Sequence, residues 1–171
     1  MQPIEIEACL DSMIIQVDTR EQPSERAEKR LKSFSHPYSR EKLNYGDYSA
    51  KFKLLDGSEQ QLPVAIERKM SLEELSGCFT HDRKRFAAEF ERAKADNAEM
   101  YLLVENANWE NLINGKYQTR LNSTAFFASI TAFMARYHIK IIFCKSETSA
   151  KLMEQILYRE LKERLEQGVY G

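Results

Sequence analysis

Short apolar runs that alternate with longer amphipathic stretches most strongly limit the folds open to this sequence. Apolar runs of strand length occupy residues 13–18, 99–106 and 139–144. Stretches with the pattern of helices occupy residues 23–34, 81–96, 122–137 and 147–168. Alternation of this kind is typical of α/β domains, in which helices connect the strands of a sheet. We therefore predict an α/β fold with a mixed central sheet flanked by helices.

Residues 47–69 have the pattern of a β-hairpin. Two stretches with strand character flank Asp56-Gly57, a dipeptide that strongly favours hairpin turns. A turn centred on Gly57 would pair residues whose numbers sum to 114, and Asp47 would then lie opposite Glu67. The segment 36–46 before the hairpin is predicted to be a loop.

The second strand of this hairpin ends on three consecutive charges, which is an unusual end for a buried strand. The apolar run 62–66 is followed at once by Glu67, Arg68 and Lys69. Side chains alternate along a strand, so Glu67 and Lys69 would share one face and Arg68 would point the other way. Burying a charge costs several kcal/mol unless it is paired or bound to a metal ion.

Two interpretations of these charges are open. In the first, Asp47 and Glu67 gather with Asp18, at the end of the first strand, around a divalent cation such as Mg²⁺, which prefers oxygen ligands. Lys69 would then orient an attacking water, act in its deprotonation or stabilise a negative transition state. In the second, Glu67 and Lys69 form a solvated ion pair worth at most about 1 kcal/mol.

Composition and charge argue against a membrane-spanning protein, a disulfide-stabilised protein and a zinc protein. No apolar run approaches the roughly 20 residues that cross a bilayer, and the N-terminus lacks the features of a signal peptide. Three widely spaced cysteines indicate neither a disulfide framework nor a zinc site, so a cytoplasmic location is expected. The net charge of −1 means that an anionic partner would need a local basic patch.

Three blocks of sequence resemble one known family. The blocks "VDTRE" (17–21), "YGDYSA" (45–50) and "IERKMSLEEL" (66–75) are similar to the nuclease domain of XPF-type structure-specific endonucleases. The resemblance implies a restriction-endonuclease-like fold and cleavage of one strand of branched or flapped DNA with Mg²⁺ or Mn²⁺. It also implies a role in DNA repair, recombination or phage DNA processing, in a bacterial or phage-infected cell.

The resemblance assigns roles to individual residues of the three blocks. It implies that Asp18, Asp47 and Glu67 are metal ligands. It implies that the catalytic residues are Asp47, Glu67, Lys69, Arg68 and Glu21. The family pattern closes on an aspartate where this chain has Glu73, which we do not count as catalytic.

Basic residues near the blocks are candidate contacts to DNA phosphates. They are Arg20, Arg83, Lys84, Arg85, Lys116 and Arg120. The stretch 81–85 can equally be a solvated helix face whose charges pair with acidic residues one turn later.

The expected organisation is a single nuclease domain over residues 1–171. Its core would span about 13–145 and its closing helix about 147–168, with no helix-hairpin-helix module. Apolar stripes on the last two helices, together with the resemblance, favour a homodimer formed through this end of the chain, although the stripes can equally cover the sheet. Two other functions are open: a non-catalytic binder of DNA junctions, and an interaction subunit that depends on a partner.

Overall fold

The computed structural model describes residues 1–171, which form seven strands and seven helices. The strands are β1 (Ile14–Asp18), β2 (Tyr38–Glu41), β3 (Tyr48–Lys53), β4 (Glu59–Gln61), β5 (Val64–Lys69), β6 (Glu99–Glu105) and β7 (Lys140–Cys144). The helices are α1 (Pro3–Asp11), α2 (Glu25–Lys32), α3 (Leu72–Cys78), α4 (Arg83–Ala95), α5 (Trp109–Ile113), α6 (Ser123–Tyr137) and α7 (Ser146–Glu166). The strands belong to one mixed sheet in the order β2-β1-β3-β5-β6-β7, and β4 pairs with β3. This confirms the predicted fold class.

The first of two compact units contains the early strands. It comprises Met1–Leu43, Asp47–Val64 and Ala150–Gly171. Strand β1 pairs in parallel with β2 and antiparallel with β3. Its core combines large side chains of β1 and β3 with the apolar stripe of α7; the fully buried members are Ile15, Val17, Tyr48, Phe52, Met153, Leu157, Leu161 and Leu165.

The second compact unit comprises Asn44–Gly46 and Ala65–Ser149. Here β6 pairs in parallel with β7, with Leu103 opposite Ile142. Five buried phenylalanines form the centre of the core: Phe79, Phe86, Phe90, Phe126 and Phe133. Edge-to-face contacts join Phe86 to Phe90 at 4.8 Å and Phe79 to Phe133 at 5.0 Å, and each such pair adds about 0.5–1.5 kcal/mol beyond the burial of its area. They pack α3, α4 and α6 together.

Two elements of the first unit differ from prediction. Residues 38–41, predicted as loop, form the edge strand β2, whose side chains are exposed or half-buried and therefore show no apolar run. Residues 3–11 carry no predicted element, and in the structure they form α1, which buries Ile6, Cys9 and Leu10. No helix has the length and apolar character needed to cross a membrane.

The hairpin register also differs from prediction. Lys51 pairs with Gln61 and Lys53 with Glu59, so paired numbers sum to 112 and the predicted sum of 114 is wrong. The cause is a three-residue loop centred on Asp56, in which the Gly57 amide donates to Leu54 O at 2.9 Å and Gly57 has a φ of +83°. The second arm is moreover split into β4 and β5. The observed register therefore gives no support for the predicted pairing of Asp47 with Glu67.

Candidate active site

Asp18 closes β1 as a fully buried carboxylate that accepts four hydrogen bonds. Its Oδ1 accepts from the Arg20 amide at 2.8 Å and from Arg20 Nε at 2.7 Å. Its Oδ2 accepts from the Leu43 amide at 2.8 Å and from Arg20 Nη2 at 3.2 Å. Burial alone would raise the pKa of the Asp18 carboxyl, but the hydrogen bonds from Arg20 and Leu43 outweigh burial and lower that pKa below its usual range. Asp18 is therefore ionised at neutral pH.

Asp47 lies half-buried immediately before β3, and its backbone is tied to Asp18. The Asp18 amide donates to Asp47 O at 2.8 Å. The neighbouring residues Val17 and Tyr48 are partners in the ladder between β1 and β3. The backbone of Asp47 is thus fixed by the end of β1.

Segment 44–46, which leads into Asp47, is held by α4. Glu89 Oε1 accepts from the Gly46 amide at 2.7 Å, and Arg92 Nε donates to Asn44 O at 2.8 Å. Gly46 has a φ of +72°, and a Cβ at this position would lie 2.8 Å from the Cβ of Ala65. Both the backbone conformation and the close approach require glycine. Sequence reasoning missed the role of Glu89 and Arg92, since a helix face rich in charge gives no sign of which members bind a backbone.

Glu21, predicted to be catalytic, forms a buried ion pair with α2. Arg30 Nη1 lies 3.1 Å from Glu21 Oε1, and the two side chains are only 9% and 10% exposed. The same Nη1 donates to the hydroxyl of Tyr48 at 3.3 Å. No signal in the sequence distinguishes Arg30 from its basic neighbours on α2.

Glu67 and Lys69 share one face of β5, as the period of a strand predicts. Lys69 Nζ lies 2.5 Å from Glu67 Oε1, and their side chains are 13% and 5% exposed. The ammonium also lies 5.6 Å from the ring centre of Phe86. This excludes the interpretation of Glu67 and Lys69 as a solvated surface pair, because both groups are largely removed from water.

Arg68 makes an ion pair with the end of the neighbouring strand. Its Nη1 lies 3.2 Å from Oε2 of Glu105, the last residue of β6, whose side chain is 4% exposed. Sequence reasoning missed Glu105, although "EMYLLVE" ends on a carboxylate just as "MIIQVD" does. A carboxylate at the end of an apolar run was therefore the signal in the sequence that could have identified Glu105.

No group of three or more His, Cys, Asp and Glu side chains is placed to hold a metal ion. The chemistry of the predicted donors nevertheless fits Mg²⁺ or Mn²⁺, because carboxylate oxygens are their preferred ligands. Mg²⁺ is usually held by only one or two carboxylates and keeps several waters. The assignment of ligands remains a prediction.

Most of the predicted DNA contacts are exposed basic side chains. Arg83, Lys84 and Arg85 form the exposed first turn of α4, while Lys116 and Arg120 are exposed between α5 and α6. Arg20 is 58% exposed although its guanidinium binds Asp18. Glu73 accepts from the Gln118 amide at 3.0 Å and so anchors the loop that carries Lys116 and Arg120.

Comparisons with known proteins relate this geometry to one family. A family model described as the ERCC4 domain matches residues 17–156. A structure titled "XPF from Aeropyrum pernix" matches 84% of the chain at 20% identity with a TM-score of 0.58. A second structure, "XPF from Aeropyrum pernix, complex with DNA", matches 85% of the chain with the same identity and TM-score. The matched regions span 59% and 63% of those two chains. No protein of curated function matches.

Proposed function

The chain belongs to the ERCC4-domain family, and from that premise we propose that it is a metal-dependent endonuclease that hydrolyses phosphodiester bonds in branched or flapped DNA. The observation that carries the proposal is the buried pair of Glu67 and Lys69 on one face of β5, within the block that resembles the nuclease signature. A role in DNA repair, recombination or phage DNA processing, in the cytoplasm, is part of the same proposal.

The proposed cofactor is Mg²⁺ or Mn²⁺, with Asp47 and Glu67 as its ligands. A bound ion of this kind lowers the pKa of water and neutralises charge on a phosphoryl oxygen. Burial of Glu67 supports this assignment, since a carboxylate withdrawn from water gains more from a bound cation than an exposed one.

Lys69 supplies a positive hydrogen-bond donor to the site. Its ammonium is held 2.5 Å from the Glu67 carboxylate. A protonated Nζ donates to a phosphoryl oxygen and stabilises the negative charge that develops there. Arg68 and Glu21 act less directly, because each is engaged in a buried ion pair, with Glu105 and Arg30 respectively.

The exposed basic residues are proposed to bind DNA phosphates. The set comprises Arg20, Arg83, Lys84, Arg85, Lys116 and Arg120. The second structure in the comparison is a complex with DNA, which supports a DNA ligand for this fold. Each phosphate contact removed should lower affinity for every DNA substrate and reduce its dependence on salt.

A cleavage assay tests the proposed function. End-labelled flap, splayed-arm, four-way and plain duplex DNA would be incubated with the purified chain in Mg²⁺, Mn²⁺ or EDTA. We expect metal-dependent cutting of the branched substrates, and Lys69→Ala, Asp47→Asn and Glu67→Gln should each lower the rate by about 10²–10³-fold or more. Circular dichroism would establish that the variants fold.

The opposite outcomes point to the other two functions. DNA binding without cutting under any condition would indicate a non-catalytic binder of junctions. Neither binding nor cutting by the isolated chain would indicate a subunit that needs a partner. Variants that fold and cut as well as the parent would overturn the assignment of the site.

Homodimerisation through the C-terminal helices is a separate proposal. The apolar stripe of α7 is buried within the chain at Leu157, Leu161 and Leu165, so it serves the fold of the first unit. On α6, Phe127 is 38% exposed and offers apolar surface to a second copy. Sedimentation of the parent and of Phe127→Ser would test this; a monomeric parent would exclude the dimer.

A further inference from the structure

We infer that Asp18 is a positioning residue that fixes the backbone carrying Asp47, and not a ligand of the catalytic metal. This inference rests on the proposed function, in which Asp47 is a ligand. It replaces the role that the family resemblance implies for Asp18.

The carboxylate of Asp18 has no free acceptor capacity. An ionised carboxylate offers about four lone-pair sites, and Asp18 accepts four hydrogen bonds at 2.7–3.2 Å. A metal ion would have to displace at least one donor. Two of these donors are backbone amides, of Arg20 and Leu43, which cannot rotate away as a side chain can.

The charge of Asp18 is also neutralised locally. Arg20 contributes both Nε and Nη2 to the two carboxylate oxygens, which is a bidentate pairing. Because the guanidinium neutralises the carboxylate, the attraction of Asp18 for a cation is weak.

Asp18 makes hydrogen bonds to the backbone on both sides of segment 44–46, which precedes Asp47 in the chain. The side chain of Asp18 accepts from the Leu43 amide, and the backbone amide of Asp18 donates to Asp47 O, each at 2.8 Å. Segment 44–46 lies between these two points. A change in the Asp18 side chain therefore releases the Leu43 end and loosens the backbone from which the Asp47 side chain projects.

Asp18→Asn is the informative variant, because asparagine has the same shape but keeps only one acceptor oxygen and turns the other into an NH₂ donor. Three quantities would be measured on the full chain: the Mn²⁺ dissociation constant, kcat at saturating Mn²⁺, and deuterium uptake of peptides covering 43–47. We expect kcat to fall by about tenfold to a hundredfold and uptake in 43–47 to rise. The Mn²⁺ dissociation constant should rise for Asp18→Asn, but less than for Asp47→Asn, because the ligand is kept and only the backbone that carries it is loosened.

Glu154→Gln is the matched control. Glu154 is likewise a buried carboxylate of the first unit, and it accepts from the amides of Ser35 and His36 at 2.9 and 2.8 Å. Its loss should increase deuterium uptake around 35–36 and leave kcat unchanged. Such a result would show that a general loss of stability does not explain the effect of Asp18→Asn.

The inference is overturned if Asp18→Asn weakens Mn²⁺ binding as much as Asp47→Asn does and leaves uptake in 43–47 unchanged. Asp18 would then be a ligand. A parent chain that neither binds Mn²⁺ nor cuts DNA would overturn the proposed function instead. In that case the uptake of 43–47 alone decides the inference, and raised uptake supports it.

Discussion

Asp18 and Glu105 occupy equivalent places in the sequence pattern, but their arginine partners differ in exposure. Each is the last residue of a buried strand, β1 or β6, and each pairs with an arginine. The partner of Asp18 is two residues away and 58% exposed. The partner of Glu105 is Arg68, distant in sequence and only 13% exposed.

We infer that the two pairs differ in worth because Arg68, unlike Arg20, is itself buried, and because Asp18 keeps backbone donors when its arginine is removed. Arg20 can be removed while the backbone amides of Arg20 and Leu43 still satisfy Asp18. Arg68 is itself withdrawn from water, and its loss removes a positive charge from beside a carboxylate whose side chain is only 4% exposed.

The largest effect is expected at Arg68. Arg68→Ala should lower the free energy of unfolding by about 3–5 kcal/mol, because it leaves the buried charge of Glu105 without its arginine. Urea denaturation followed by circular dichroism would measure this loss. The double variant Arg68→Met with Glu105→Leu should recover most of it, because apolar groups of similar size replace both charges. A loss below about 1 kcal/mol for Arg68→Ala would remove the contrast with Asp18.

The next largest effect is expected at Asp18, whose contribution to the stability of the fold depends on pH. Its pKa in the folded protein is lowered from the usual value of 3.8, so its contribution to stability is complete above that value and is lost as pH falls through the folded pKa. Protonation weakens the bonds to Arg20 and Leu43 together. Urea denaturation from pH 6 to about pH 3 should therefore show a smaller loss of stability for Asp18→Asn than for the parent. Parallel curves for the two proteins would contradict this prediction.

The smallest effect is expected at Arg20. Arg20→Ala should lower the free energy of unfolding by about 1–3 kcal/mol, less than Arg68→Ala does, because Arg20 is 58% exposed and Asp18 keeps its backbone donors. The same denaturation assay measures it, with Arg68→Ala as the reference. If the two substitutions cost equal amounts, exposure of the arginine would not be the deciding factor.

Local patterns in the sequence predicted the strands and helices well. Buried runs such as 14–18 and 99–105 appear close to their predicted bounds, and α4 and α6 lie within the stretches 81–96 and 122–137 predicted to be helical. The alternation of Glu67, Arg68 and Lys69 across the two faces of β5 follows from strand geometry alone.

What the sequence did not predict depends on long-range contacts. Strand β2 has no apolar run because it is an edge strand, so only its pairing with β1 reveals it. The partners Glu89 and Glu105 come from elements distant in sequence, whereas Arg30 pairs with Glu21 across only nine residues. The hairpin register failed for a local reason, since Asp56-Gly57 is compatible with loops of two or three residues and the three-residue form occurs here.

Gly46 has a consequence for reading mutational data on this protein. Any side chain there must adopt a φ of +72° and place its Cβ 2.8 Å from the Cβ of Ala65. A screen of all single substitutions for loss of the proposed cleavage would therefore score Gly46 as harshly as a reacting carboxylate, although no atom of glycine would take part in the proposed hydrolysis. Counting intolerant positions would overstate the size of the chemical site. A parallel screen for protein abundance would separate Gly46 from the residues that perform the reaction.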